Sequence, residues 1–130
     1  MTDLVACLGA GKGTWSSVLR LVKNQDFENI FLVSNQWTKD KLSLDRGNLS
    51  FVIVDSNDSA EIIRDKIIAG LKERIKGFEV AVNLESGTGK EHAGLVAALI
   101  RLGLAFRVVI AQGSEVRDIS CDERFVVREE

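Results

Sequence analysis

Proline is missing from all 130 residues, histidine occurs once and cysteine twice. Without proline there is neither a stiff proline-rich linker nor a polyproline ligand segment. Cys7 lies inside an apolar run and Cys121 in the C-terminal segment, so no close pair suggests zinc or redox chemistry, and a reducing, cytoplasmic setting is expected. No histidine, cysteine or carboxylate cluster has metal-ligand spacing, and no cofactor is called for. Neither sign of charge is in excess: 17 Lys and Arg face 19 Asp and Glu, a net −2 at pH 7. That balance draws the chain neither to duplex nucleic acid nor to an anionic membrane, so any attraction for phosphate must be local. No apolar run approaches the roughly 20 residues that span a bilayer, and the N-terminus, with Asp3, lacks the basic-then-apolar layout of a signal peptide. Secretion and membrane insertion are therefore not expected.

What is present is ordinary globular material: 45% hydrophobic and 28% charged residues. A chain of this length buries enough surface to fold without metals or disulfides, which predicts a single domain over 1–130. Short apolar runs alternate with segments of helical period. Leu4 to Leu8, Asn29 to Ser34, Leu49 to Asp55, Glu79 to Leu84 and Phe106 to Ala111 have strand length and composition. Between them, Thr14 to Lys23, Thr38 to Leu44, the long stripe Ile62, Ile63, Ile67, Ile68, Leu71 and Ile75, and Glu91 to Leu102 predict helices. Asp58 with Glu61 looks like a capping box at the start of the third helix, and Gly77 and Gly103 stop the third and fourth. Gln112-Gly113-Ser114 predicts a turn into Glu115 to Ile119, and Phe125-Val126-Val127 a further edge strand.

This alternation predicts an α/β, Rossmann-like, three-layer fold: a mostly parallel sheet of five to six strands, helices on both faces and a C-terminal antiparallel edge. In such sheets ligands bind outside the carboxyl ends of the strands, where strand order reverses. Four segments leave those ends: the loop after Leu8, Ser34-Asn35, Asp55-Ser56 and the loop after Leu84. They are expected to line one rim.

Two of the four carry the same device. Gly9-Ala10-Gly11-Lys12-Gly13-Thr14 and Ser86-Gly87-Thr88-Gly89-Lys90 each combine glycines, which let backbone N–H groups approach an anion, with a lysine and a following helix N-terminus. A phosphate-bearing ligand is the leading expectation. The first loop partly resembles the phosphate loop of nucleoside monophosphate kinases, but Ala6 stands where the P-loop pattern needs glycine. Phe51-Val52-Ile53-Val54-Asp55 has the look of a Walker B strand, a pattern that any parallel sheet generates easily. A dinucleotide site fits less well, because Thr14 replaces the third glycine of the fingerprint and no acidic residue follows the second strand at Ser34-Asn35. The bland alternative is that tight strand-to-helix turns simply need glycine.

Asn83-Leu84-Glu85-Ser86-Gly87-Thr88-Gly89-Lys90, leading into a small-residue helix and then a strand, resembles a signature of CRISPR-associated Rossmann-fold (CARF) domains. The element order is similar over nearly the whole chain, although the threonine and second glycine are swapped relative to the family's Thr/Ser-Gly-Gly-Thr-Lys turn. The resemblance implies a sensor of cyclic oligoadenylate, the messenger of type III CRISPR antiviral defence, with the ring lying across a two-fold homodimer. Carried over by position, Gly87, Thr88, Gly89 and Lys90, together with Gly9, Gly11, Lys12 and Thr14 of the first loop, would contact phosphate and ribose. Asn35 shares the rim. Trp37, in the polar stretch Asn35 to Lys39, is a candidate for stacking on adenine, and Trp15 a weaker one, since its spacing to Val18 and Leu19 suits the core. Most such domains are fused to an effector, for which 130 residues leave no room. A stand-alone member would be a ring nuclease or an adaptor.

Ring opening needs no metal if a ribose 2′-OH is held in line with its phosphate and the developing charge is stabilised. Lys12 and Lys90 suit the second task; Ser86, Thr14 or Thr88 suit the first. His92, on the first turn of the helix, is either an acid–base or ligand-contacting group or a surface or capping histidine; Glu85 and Glu91 flank the loop as the nearest carboxylates that could orient it, and as acids they oppose a phosphate unless turned away or paired. The other readings are an enzyme that binds a mononucleotide through a degenerate phosphate loop, and a non-catalytic interaction subunit. The mixed-charge runs Arg64-Asp65-Lys66, Lys72-Glu73-Arg74 and Asp122-Glu123-Arg124 are expected to be solvated faces.

Overall fold

The computed structural model describes residues 2–24, 27–42, 44, 46–121 and 123–124, and for residues 12, 24, 123 and 124 the backbone alone. Five strands form a parallel sheet: β1 (Asp3–Cys7), β2 (Ile30–Ser34), β3 (Leu49–Ile53), β4 (Glu79–Asn83) and β5 (Ala105–Gln112). β6 (Glu115–Asp118) returns antiparallel on β5, and the two-residue β7 (Glu123–Arg124) extends that edge. The order is β3-β2-β1-β4-β5-β6-β7, a Rossmann-like arrangement with the expected antiparallel edge and one short strand more than the sequence suggested. The candidate edge strand Phe125-Val126-Val127 lies outside the described residues.

The helices are α1 (Trp15–Asn24), α2 (Gln36–Leu42), α3 (Ala60–Leu71) and α4 (Gly89–Arg101). β1 and β2 are buried along their whole length, as unbroken apolar strands sandwiched between helices must be. Side-chain alternation divides the core in two. Val5, Cys7, Phe31 and Val33 meet Ile63, Ile67, Leu71, Leu95, Ala98 and Leu99 of α3 and α4. Leu4, Ala6, Leu8, Ile30 and Leu32 meet Val18, Leu21 and Val22 of α1 on the other face. Because strand order reverses after β3, the carboxyl ends of β1 and β4 are neighbours at the switch point, and the loops leaving them are brought side by side.

Several boundaries moved for identifiable reasons. A 3-10 turn over Lys12–Thr14 precedes α1. α2 starts two residues earlier than expected because the Asn35 side chain caps it, accepting from the Thr38 N–H at 2.8 Å. α3 is capped by Ser59, which accepts from the Ile62 N–H, while Asp58 bonds the Asp55 N–H and pairs with Lys66 at 2.6 Å. That helix stops at Leu71, short of Gly77; the chain reverses through Glu73 at φ 64°, and Ile75 still packs on the core. Ile62, expected in the buried stripe, is exposed. Gly103 ends α4 at φ +70°, as its position predicts.

On the antiparallel edge, opposite Val109 of β5, Asp118 is fully buried and pairs with Arg107; it also accepts from the Ser120 N–H at 2.7 Å and the Cys121 thiol at 3.3 Å. Burial opposes ionisation of Asp118, but these hydrogen bonds outweigh it and hold its pKa below the ordinary carboxylate value. The folded pKa is the lower one, so this stabilisation is complete above the unfolded-state pKa of about 3.9 and disappears as pH falls through the folded value. Acid denaturation followed by circular dichroism is expected to show this loss below about pH 4, and Asp118→Asn, less stable at neutral pH, is expected to flatten that slope.

A second test concerns the contact between α3 and α4. A Cβ on Gly94 would lie 2.7 Å from Ile63 Cγ2 and 3.1 Å from the Arg64 backbone nitrogen, whereas one on Gly89 would meet nothing within 4 Å. Gly94→Ala is expected to cost about 1–3 kcal/mol by overpacking, more than the ~1 kcal/mol gained in helix propensity. Gly89→Ala is expected to leave the urea midpoint unchanged or to raise it slightly.

Candidate functional site

The rim at the carboxyl ends of the strands holds a cleft of about 520 Å³. Gly9, Ala10, Gly11, Gly13 and Thr14 line one side, Gly87, Thr88 and Glu91 another, and Asn35 and Ser56 a third. All four segments expected on one rim therefore contribute. A second depression of about 360 Å³ shares Asn35 and Ser56 and continues past Gln36, Trp37, Asp55 and Lys66.

The two glycine loops are joined by a buried hydroxyl. Ser86, 1% exposed, accepts from the Gly9 N–H at 2.9 Å, and the Thr14 hydroxyl bonds its Oγ at 2.6 Å. The other side of Gly9 is also occupied, because the Trp15 indole N–H donates to its carbonyl at 2.7 Å. Gly9 must be glycine, since a Cβ there would lie 3.0 Å from the Gly87 backbone nitrogen. Gly87 must be too: its φ is +91°, and a Cβ would come 3.1 Å from that of Cys7. Beneath the second loop His92 Nε2 lies 2.7 Å from the Ser86 carbonyl oxygen, an acceptor, so that nitrogen carries the proton. Buried Asn83, at the end of β4, donates to the Val109 carbonyl at 2.8 Å and to Glu85 at 2.9 Å, anchoring the strand end from which the loop departs.

Gly11, Gly13 and Gly89 behave differently. None has positive φ, and a Cβ on any of them would meet nothing within 4 Å. No hydrogen bond among the described residues engages the N–H groups of Gly11 or Gly13, which line the cleft. Neither packing nor backbone conformation requires these three to be glycine. Gly11 and Gly13 line the cleft with backbone alone, a surface suited to the close approach of an anion.

The lysines and aromatics complete the rim. Lys90 Nζ crosses to the Ser56 carbonyl at 2.6 Å, tying the start of α4 to the loop after β3, and the Lys12 side chain lies outside the described residues. Lys90 is close enough to help lower the Asp58 pKa, behind the direct hydrogen bonds from Lys66 and the Asp55 N–H. Trp37 is 47% exposed, with Lys41 Nζ 5.9 Å from its ring centroid and Trp15 6.2 Å away at a tilt of 50°. Trp15 itself packs against the α1-side core. Cys7 is buried beneath the cleft, and burial, assisted by the Glu91 charge, pushes its thiol up to about 12, too high for a nucleophile at neutral pH.

Of the sequence candidates, Gly9, Gly11, Thr14, Asn35, Gly87 and Thr88 line the main cleft, and Trp37 lines the adjoining one. Ser86 and His92 are absent from that lining and act underneath it, as latch and brace. Gly89 and Lys90 begin α4 and are not part of that lining. Glu91 lines it directly, and Ser56 lines both depressions, although it was expected only as part of the rim. Asn83 had no signal beyond its place at a strand end. No protein-family model matches the chain, and no curated protein matches it in sequence.

Ser86 is the residue on which this geometry turns. Ser86→Ala strands the partly buried Gly9 N–H and is expected to lower stability by about 1–3 kcal/mol, read as the shift in free energy of unfolding in urea. Thr14→Val removes one bond to the same oxygen and leaves the Gly9 bond in place, so its loss is expected to be smaller.

Proposed function

We propose that the cleft binds a phosphate-bearing nucleotide and that the protein is a sensor of cyclic oligoadenylate, acting as a homodimer with the ring shared between two clefts. The observation that carries the nucleotide reading is the convergence of two glycine loops at the switch point, with Gly11 and Gly13 presenting unengaged N–H groups that the fold itself does not explain. A purely structural role for the turns accounts for Gly9 and Gly87 and leaves these two without a reason.

The form of the cleft favours a ligand larger than one chain encloses. Gly11, Gly13, Thr14, Ser56 and Thr88 are all exposed, and the lining is continuous with the Trp37 depression through Asn35 and Ser56. An enzyme acting on a mononucleotide needs a closed pocket within the subunit. An open trough with an aromatic face at one end suits a ligand of several nucleotides, whose bases stack on Trp37 for about 1–3 kcal/mol each. The CARF-like turn at Ser86 to Lys90 supports the cyclic form of that ligand, and with it the place in antiviral defence. Binding is the primary function in this reading. With Ser86 Oγ buried and bonded to Gly9 and Thr14, ring opening would fall to Lys12 and Lys90 as stabilisers of the developing charge.

Calorimetric titration with cyclic tetra-adenylate and cyclic hexa-adenylate tests this. One ring is expected to bind per two chains. Gly13→Ala, which meets nothing in the fold, is expected to keep or slightly raise the melting temperature while weakening binding at least tenfold, and Lys90→Ala is expected to weaken it as well. Absence of binding to either ring overturns the messenger reading; equal binding by Gly13→Ala overturns the role of the first loop.

A further inference from the structure

Among the described residues that line the main cleft, one side chain is charged, and it is negative: Glu91. Three observations fix its carboxylate against the second loop, on the side of Gly87 that faces Cys7 and His92. Its Oε1 accepts from the Thr88 N–H at 3.4 Å, it lies 3.5 Å from where a Cβ on Gly87 would be, and its charge reaches the buried Cys7. No ion pair neutralises it among the described residues.

The two helices that begin at the cleft are consequently unlike. The 3-10 turn and α1 have no acidic residue in their first turns, so the positive end of that helix, preceded by the cleft-lining Gly11 and Gly13, carries no compensating carboxylate of its own. The head of α4 already holds its own carboxylate. A phosphate is favoured at the first end and repelled at the second. Conversely, an ionised carboxylate only accepts hydrogen bonds, and one donor from Thr88 leaves most of its capacity open. The cleft is thus polarised, with an anion end at the first loop and an acceptor end at Glu91.

Resting on the reading of this cleft as a nucleotide site, we propose that Glu91 is a specificity-determining residue: it accepts a hydrogen bond from the 2′-hydroxyl of a ribose whose phosphate lies against the first loop, and so selects ribonucleotides over deoxyribonucleotides. Rossmann-type sites commonly take ribose hydroxyls with an acid that follows the second strand, and here that position is Ser34-Asn35. Glu91 supplies the missing acceptor from the opposite side of the switch point. A site built to bond a hydroxyl discriminates strongly against an analogue that lacks it, because the acceptor is then left against an apolar group.

The test uses adenosine 5′-monophosphate, its 2′-deoxy counterpart and inorganic phosphate as probes, titrated into the wild-type protein, Glu91→Gln and Glu91→Ala. Glu91→Gln keeps an acceptor for the Thr88 N–H and controls for loss of the helix cap, with far-ultraviolet circular dichroism reporting the fold. The wild type is expected to prefer the ribonucleotide about tenfold or more. Glu91→Gln is expected to reduce that preference and Glu91→Ala to abolish it, while both bind inorganic phosphate more tightly than wild type. Equal affinity of the wild type for the two nucleotides, or a preference that survives in Glu91→Ala, overturns the inference and leaves the nucleotide site standing. A folded wild type that binds none of the three probes overturns the inference, and the titration with cyclic tetra-adenylate and cyclic hexa-adenylate reads separately whether the nucleotide site stands.

Discussion

The hydroxyl of Ser86 holds the rim together. A parallel sheet places the ends of β1 and β4 side by side but does not bond the loops that leave them; the two departures are 77 residues apart in sequence and belong to different crossovers. One buried oxygen, bonded to the Gly9 N–H and the Thr14 hydroxyl, turns two independent strand-to-helix turns into a single surface. The surrounding residues serve the same purpose. Trp15 occupies the Gly9 carbonyl, His92 the Ser86 carbonyl, and the absent side chains of Gly9 and Gly87 allow the two backbones to approach. Ser86, Trp15 and His92 stand outside the cleft lining, and from there they hold in place the groups that form it.

The electrostatics of the rim are local, as the near-neutral composition requires. Lys90 is engaged with the Ser56 carbonyl and Lys66 with Asp58, so both ammonium groups are committed to fastening the loop after β3. Among the described residues, the cleft lining itself offers a ligand backbone polarity on one side and the Glu91 carboxylate on the other, and a ligand that draws on Lys90 must compete with the Ser56 carbonyl for it. Backbone donors do not reorganise when a ligand arrives, and a preorganised donor set binds an anion without the entropy cost of fixing a lysine side chain.

The fold was legible because its signals were redundant. Each strand from β1 to β5 is an apolar run of strand length, and the crossover rule leaves one simple way to arrange strands separated by helices. The helix ends were less legible where a side chain decided them. Asn35 draws α2 two residues forward, Ser59 takes the cap assigned to Asp58, and the positive φ of Glu73 breaks the apolar stripe before Gly77. At the site, glycine and lysine announce a loop without stating which face each residue takes. The sequence could not tell that Gly9 and Gly87 are crowded while Gly11, Gly13 and Gly89 are bare, because that depends on how two distant loops meet. For the same reason Ser86 looked like a residue facing the ligand, and Glu91 like a flank. A hydroxyl beside a glycine turn has the same signature whether it faces the ligand or the partner loop.

The contact at Gly94 has a mechanical consequence. With no side chain there, α4 sits directly against Ile63 and the Arg64 backbone, so α3 and α4 pack closely side by side on one face of the sheet. The loop after β3 and the second glycine loop lead into that pair, strapped to each other by Lys90, while the first glycine loop leads into α1 across the sheet. The rim thus draws on both faces of one sheet, and above the β1–β4 ladder its two glycine loops are joined by the Ser86 bonds. Any parting of the two loops has to give up these bonds, which makes this one serine the fastener of a surface drawn from both faces of the sheet.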